Sequence, residues 1–167
     1  PTANYRAKKT WFEAYVKPGV SLQLDYLNGG RLYGKASAVM SATLGTDPYD
    51  EGDSGRASLE EGYIGYRSSE SGRWTFDGSL GPREFKLGSG MLVANGGSNG
   101  FERGSLKLGP RKAWAFAALA GASNKSGLTA QAFYLDANES KSSDSQNILA
   151  GVDVRSERGA NNLGASF

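Results

Sequence analysis

The sequence predicts an antiparallel all-β chain, an up-and-down transmembrane β-barrel with about eight to ten strands in this chain. Three observations lead there. Apolar and polar residues alternate with period two over runs longer than soluble strands need. One face of these runs is small and apolar, while the other carries Arg, Lys, Asp and Ser at mid-strand. The connections are rich in Gly, Ser, Asn and Asp, and short turns alternate with longer loops.

The runs follow in chain order. Val20, Leu22, Leu24 and Tyr26 alternate with Ser21, Gln23 and Asp25. After Asn28-Gly29-Gly30, Leu32, Gly34, Ala36, Ala38, Met40, Ala42 and Leu44 share one face; Arg31, Tyr33, Lys35, Ser37, Ser41 and Thr43 dominate the other. About fourteen residues is well beyond the five or six usual in soluble sheets and suits a membrane strand. Ala57 to Arg67 is aromatic and β-prone. Arg73 to Leu87 sets Trp74, Phe76, Gly78 and Leu80 against Thr75, Asp77 and Ser79; Pro82 marks a bulge or break, beyond which Phe85 and Leu87 take over the apolar face. Phe101 to Gly109, Lys112 to Gly121, Leu128 to Leu135, Asn147 to Arg155 and Asn162 to Phe167 are the remaining strands. Ala113 to Ala122 also fits a short buried helix, but Trp114, Phe116 and Ala118 alternate, and strand is the reading kept.

Compact turns are expected at Asn28–Gly30, Ser68–Gly72 and Gly109–Arg111, and longer loops at Gly45–Gly55 and Met91–Gly100. The Asp136–Gln146 connection is long where this scheme wants a short one. No repeat, linker or second domain is visible, so residues 1–167 read as one barrel domain or a fragment of one.

Composition narrows the functions. The 167 residues hold no His and no Cys, which removes Ser-His and Cys-His catalysis, thiol chemistry and the usual zinc sites. An enzyme is not expected, and no cofactor or metal is. Nineteen basic residues face 17 acidic ones, so bulk charge points to no nucleic-acid partner. The longest apolar run, Ala113 to Ala122, is too short for a membrane helix, but barrel strands need only about 9–11 residues each. Pro1 to Thr10 has no apolar signal region, and the chain reads as mature or trimmed. Strand number and alternation also fit a soluble lipocalin-like barrel or β-sandwich acting as a binding module. Two features favour the membrane. Aromatics sit near strand ends (Tyr26, Tyr66, Trp74, Trp114), and the mid-strand charges would be costly in a soluble core.

Ser58-Leu59-Glu60-Glu61-Gly62-Tyr63-Ile64-Gly65-Tyr66 resembles a strand of bacterial outer-membrane porins. Leu80 to Leu92 resembles the following strand in the alginate-export family, with Gly81-Pro82-Arg83 where that family has Gly-Arg-Gln. Asn99 to Gly104, through Ala113-Trp114, is similar to the family's next hairpin. The resemblance covers under half the chain. It implies a bacterial outer-membrane location, contact with outer-membrane lipid, and transport of an anionic small solute or acidic polysaccharide. It also implies a barrel of about eighteen strands, of which this chain would supply about half. A terminal Phe such as Phe167 is typical of outer-membrane proteins, though Leu163 to Phe167 equally fits a truncated strand. Oligomeric state is left open.

The candidate pore-lining and substrate-binding residues are Arg31, Lys35, Arg67, Arg83, Lys86, Arg103, Lys107 and Arg155. Basic side chains in a lumen select anions, and Arg clasps carboxylates with paired hydrogen bonds. The alternative is an interior ladder with Glu61, Asp77, Glu84 and Asp153 that fills a small plugged barrel of structural or adhesive role. The acidic loop Asp47–Asp53 lacks EF-hand spacing and reads as solvated surface. Met91–Gly100 lacks the Lys-Ser/Thr of a phosphate loop and reads as a flexible connection. Glu60 and Glu61, as strand neighbours, are expected on opposite faces.

Overall fold

A computed structural model describes residues 9–26, 28–46, 52–99, 104–105, 107–158 and 161–167. Among these residues nine strands form one antiparallel sheet: β1 (Trp11–Val16), β2 (Gly19–Asp25), β3 (Arg31–Gly45), β4 (Ser54–Arg67), β5 (Trp74–Arg83), β6 (Trp114–Asn124), β7 (Leu128–Asp136), β8 (Ile148–Arg158) and β9 (Asn161–Ser166). From β3 onward each strand pairs with the next in sequence. β1 and β2 both lie along the free edge of β3, and their pairs from Trp11↔Gly45 to Asp25↔Arg31 follow one register. They are one long strand interrupted at Lys17-Pro18. Pro18 has no N–H to donate, yet its carbonyl still accepts the Ala38 N–H at 3.0 Å. The sheet is therefore an eight-stranded meander in practice, all-β and up-and-down as the alternation predicts.

The expected closure is not met. Among the described residues no ladder joins β9 to β1 or β2, so the sheet is open with two free edges. The Phe101–Gly109 strand is also not found. Arg103 and its neighbours 101–102, together with Leu106, lie outside the described residues, and Gly104, Ser105 and residues 107–109 are not in a strand. Gly104 and Gly109 take φ of +79° and +56°, left-handed values that interrupt an extended run.

Losing that strand reassigns the two ends of the sheet. Short turns connect β2–β3, β4–β5, β6–β7 and β8–β9 at one end; the connections after β3, β5 and β7 are long and lie at the other. The Asp136–Gln146 connection, out of place in the sequence scheme, falls at the long-loop end where it belongs. It carries a single 3-10 turn at Lys141–Ser143. Gly109–Arg111 is no hairpin turn but part of the long β5–β6 connection.

Two irregularities set which way side chains face. Ser37 pairs with Glu61 and Ala38 with Leu59, leaving Glu60 as an extra residue on β4. A bulge of this kind puts two successive side chains on one side. Glu60 and Glu61 are both buried, contrary to strict alternation. At Gly81/Arg83 the register shifts again, with Ala115 and Phe116 opposite Pro82. That shift turns Trp114 inward, where it is 4% exposed and donates its indole N–H to the Phe85 carbonyl at 3.2 Å. Trp114 is therefore no interfacial aromatic.

The core lies on one side of the sheet only. Phe85, Leu87, Trp114, Ala117, Leu119, Phe133 and Leu135 form a buried cluster between β6–β7 and the chain that follows β5. Phe85 and Leu87 thus face inward, not onto the apolar outer face expected of them. The opposite side is apolar and bare: Val20, Leu22, Leu59, Ile64, Phe76, Leu80 and Ile148 are all more than half exposed. From Phe12 to Val154, the described outward positions carry one charged residue, Asp136, at the loop end of β7.

Candidate functional site

The inner face carries the charges. Alternation along β3 places Arg31, Tyr33, Lys35, Ser37, Val39, Ser41 and Thr43 there, and the last four are buried. β4 adds Glu61, Tyr63 and Arg67, β5 adds Asp77, Ser79 and Arg83, and β8 adds Asp153 and Arg155. Aqueous contact or internal pairing is required for such groups, and this face provides both.

The described parts of the connection from Glu84 to Ala113 lie back across this face. Near its start, Gly88 lies against the Arg155 guanidinium on β8, which would have to move to admit a Cβ. Phe85 and Leu87 pack on β6 and β7, with the Phe85 and Phe133 rings 5.7 Å apart. Gly96 and Ser98 are tied to Asn138 of the β7–β8 loop, where the Asn138 N–H donates to the Gly96 carbonyl at 2.7 Å. Gly104 reaches β3 and β4: an added Cβ would stand 2.6 Å from the Ser41 carbonyl oxygen and 2.7 Å from the Arg56 nitrogen. Lys107 and Leu108 reach β1, donating their N–H groups to the Glu13 carboxylate. The Met91–Gly100 stretch, read from sequence as a flexible connection, is thus partly pinned.

The segment leaves a cavity of about 600 Å³ toward the short-turn end, lined by Arg31, Tyr33, Arg67, Asp77, Arg83, Lys86, Gln23 and Gln131 among others. Four of the eight candidate residues meet here: Arg31, Arg67, Arg83 and Lys86. Two are neutralised locally. Arg31 Nε donates to Asp25 at 2.6 Å, and Arg67 Nε to Asp77 at 2.7 Å. Asp77 also accepts the Tyr33 hydroxyl at 2.7 Å. Arg83 stacks over the Tyr63 ring, its Cζ 4.3 Å from the centroid, and donates to the Ser79 hydroxyl rather than to a carboxylate. Among the described residues, Arg83 and Lys86 are the cavity's basic groups without a carboxylate partner; Glu84, also on its wall, is in contact with Lys17.

The other four candidates lie elsewhere. Lys35 pairs with Glu61, which also accepts the Ser37 hydroxyl at 3.1 Å. Arg155 Nε is 2.6 Å from Asp153, which in turn accepts the Ser166 hydroxyl at 2.7 Å. Lys107 is exposed on the inward segment. Arg103 lies outside the described residues, as do Asp47 to Glu51 of the acidic loop. The described Asp53 accepts the Gly45 N–H at 2.7 Å.

Sequence reading missed Glu13, Lys17 and Glu60. Lys17 sits between carboxylates, with Nζ 3.4 Å from Glu60 Oε1 and in contact with Glu84. The signal for Glu60 was present. Leu59 and then Gly62, Ile64 and Tyr66 are outward, and the three-residue step from 59 to 62 reveals one extra residue. Outside the sheet, Glu139 in the β7–β8 loop accepts the Ser145 hydroxyl and N–H and the Asn147 amide. The Ser145 hydroxyl, foremost among these donors, holds its carboxyl below the ordinary range.

No protein-family model, curated protein or solved structure matches this chain.

Proposed function

We propose that the chain builds the wall of a bacterial outer-membrane β-barrel, a porin-type channel that passes anionic solutes or acidic polysaccharide through a basic-lined lumen. The observation that carries this reading is the inverted polarity of the sheet. A broad apolar face is bare, while charged residues, a polar cavity and the small core share the other side. Exposed apolar patches on soluble monomers rarely exceed a few hundred Å². On β3 the outward apolar positions run from Leu32 to Leu44; at about 3.3 Å per residue and a tilt of about 40°, they project to about 30 Å, near the height of a membrane barrel's apolar band. Long loops gathered at one end and short turns at the other fit the same architecture.

The two free edges call for further strands, and a wall of more than eight leaves room for water where a closed eight-stranded barrel fills with side chains. Anion preference follows from Arg83 and Lys86, which face the cavity without a carboxylate partner among the described residues, while Arg31 and Arg67 are paired. The plugged-barrel alternative has its own support, in the described parts of the segment from Glu84 to Ala113 that lie across the inner face.

Conductance in planar bilayers under a salt gradient tests the reading. An anion-selective reversal potential that moves toward cations in R83E/K86E is the expected result. A selectivity indifferent to those charges would remove the basic cavity from the conduction path. Sealed bilayers with a correctly inserted chain would favour the plugged barrel.

A further inference from the structure

The inward segment meets the β1–β4 side of the wall through two carboxylates, and neither belongs to the cavity. On β1, Glu13 accepts the Lys107 N–H at 2.9 and 3.1 Å on its two oxygens and the Leu108 N–H at 3.0 Å. On β4, Glu60 Oε1 accepts the Lys112 N–H at 2.7 Å and the Ala113 N–H at 3.0 Å. Each carboxylate thus takes two successive backbone N–H groups of the same segment. Glu60 is 1% exposed, and its Oε2 is buried without a hydrogen-bond partner. The bulge exists at that residue alone on β4, and without the extra residue position 60 would face outward. Hydrogen bonds from backbone N–H to an ionised carboxylate are roughly twice as strong as those between neutral partners.

We propose that Glu13 and Glu60 are the positioning residues of the lumenal segment: two carboxylate clasps that hold it against β1 and β4. The aromatic cluster on β6 and β7 keeps the other half of the segment in place. Among the described residues, Glu60 has near it Lys17 from the β1–β2 junction, Glu61 from the same bulge with its partner Lys35 from β3, and Glu84 from the segment. Glu13 also accepts the Trp11 indole N–H from the same strand at 3.1 Å. The consequence for permeation rests on the channel reading, but the docking itself does not.

Amide hydrogen exchange on the whole chain, folded in detergent micelles, tests the clasps whether or not the chain conducts. In E60Q, protection at Lys112 and Ala113 falls by about tenfold or more while Leu119 and Phe133 keep theirs; E13Q does the same at Lys107 and Leu108. Unchanged protection in both single variants overturns the proposal, as does a loss that spreads through β6 and β7. Should E60Q fail to fold, E13Q decides. The expected exchange pattern in a chain without conductance would keep the clasps and discard the channel.

Discussion

Replacing Leu59 by Arg separates a lipid-facing wall from a water-facing one. Leu59 is 60% exposed on the outward face of β4, paired across the ladder with Ala38. Ser54 and Arg67 bound the strand, about five and eight residues away; at about 3.3 Å per residue and a tilt of about 40°, Leu59 lies about 13 Å and 20 Å from the two ends. It therefore sits within about 4 Å of the middle of the band. Arg on the lipid face near the midplane costs about 2–4 kcal/mol in membrane barrels. That lowers the folding equilibrium by roughly 1.5 to 3 orders of magnitude. The same substitution on a water-facing surface stays within about 0.5 kcal/mol. Reversible urea unfolding in phospholipid vesicles, followed by the fluorescence of Trp11, Trp74 and Trp114, reads the difference. An L59R midpoint matching that of the unsubstituted chain would refute the assignment of this face to lipid.

Three further outcomes follow from the packing. Phe133→Ala opens the cluster against Phe85 and costs about 3–5 kcal/mol in the same unfolding assay; a loss under about 1 kcal/mol would mean the cluster is not the core. Gly104→Ala combines a φ of +79° with a Cβ 2.6 Å from the Ser41 carbonyl oxygen, so it displaces the segment from β3–β4 and exposes it to protease without lowering strand content measured by circular dichroism. Because the Glu139 carboxyl is lowered, its bonds to Ser145 and Asn147 add to loop order above the unfolded carboxylate range and are lost as pH falls through the lowered folded value. Protection of the Ser145 amide, taken relative to its intrinsic exchange rate, should fall on acidification and show no such pH step in Glu139→Gln.

Much of this architecture is legible in the alternation of β2 to β8, because a strand with one greasy face and one charged face has a period that short windows reveal. What alternation misses is single-residue insertion. At Glu60 the bulge turns a carboxylate inward, and opposite Pro82 the extra residue on β6 does the same to Trp114; each shifts facing without changing composition. The Phe101–Gly109 run alternates as well as any strand, yet its described residues are not in a strand, with Gly104 and Gly109 in left-handed conformations. β1 goes unread because Lys17-Pro18 looks like a boundary, when the single register along β3 shows it to be an interruption within one strand. Of the basic candidates, the sequence reading finds the correct face for Arg31, Lys35, Arg67, Arg83 and Arg155. It does not separate those that are paired from those that are not, because Asp25, Asp77 and Asp153 become partners only through turns and local rotamers.

The claim that one face meets lipid and the other meets an aqueous lumen is most directly tested on adjacent residues of β5. The chain has no Cys, so single cysteines at Thr75, Phe76, Asp77 and Gly78 report without background. In the reconstituted protein, fluorophores at Phe76 and Gly78 should be quenched by nitroxide lipids, while cysteines at Thr75 and Asp77, which line the cavity, should react with a water-soluble maleimide and escape lipid quenching. Uniform labelling from water at all four, with no alternation in quenching, would contradict it.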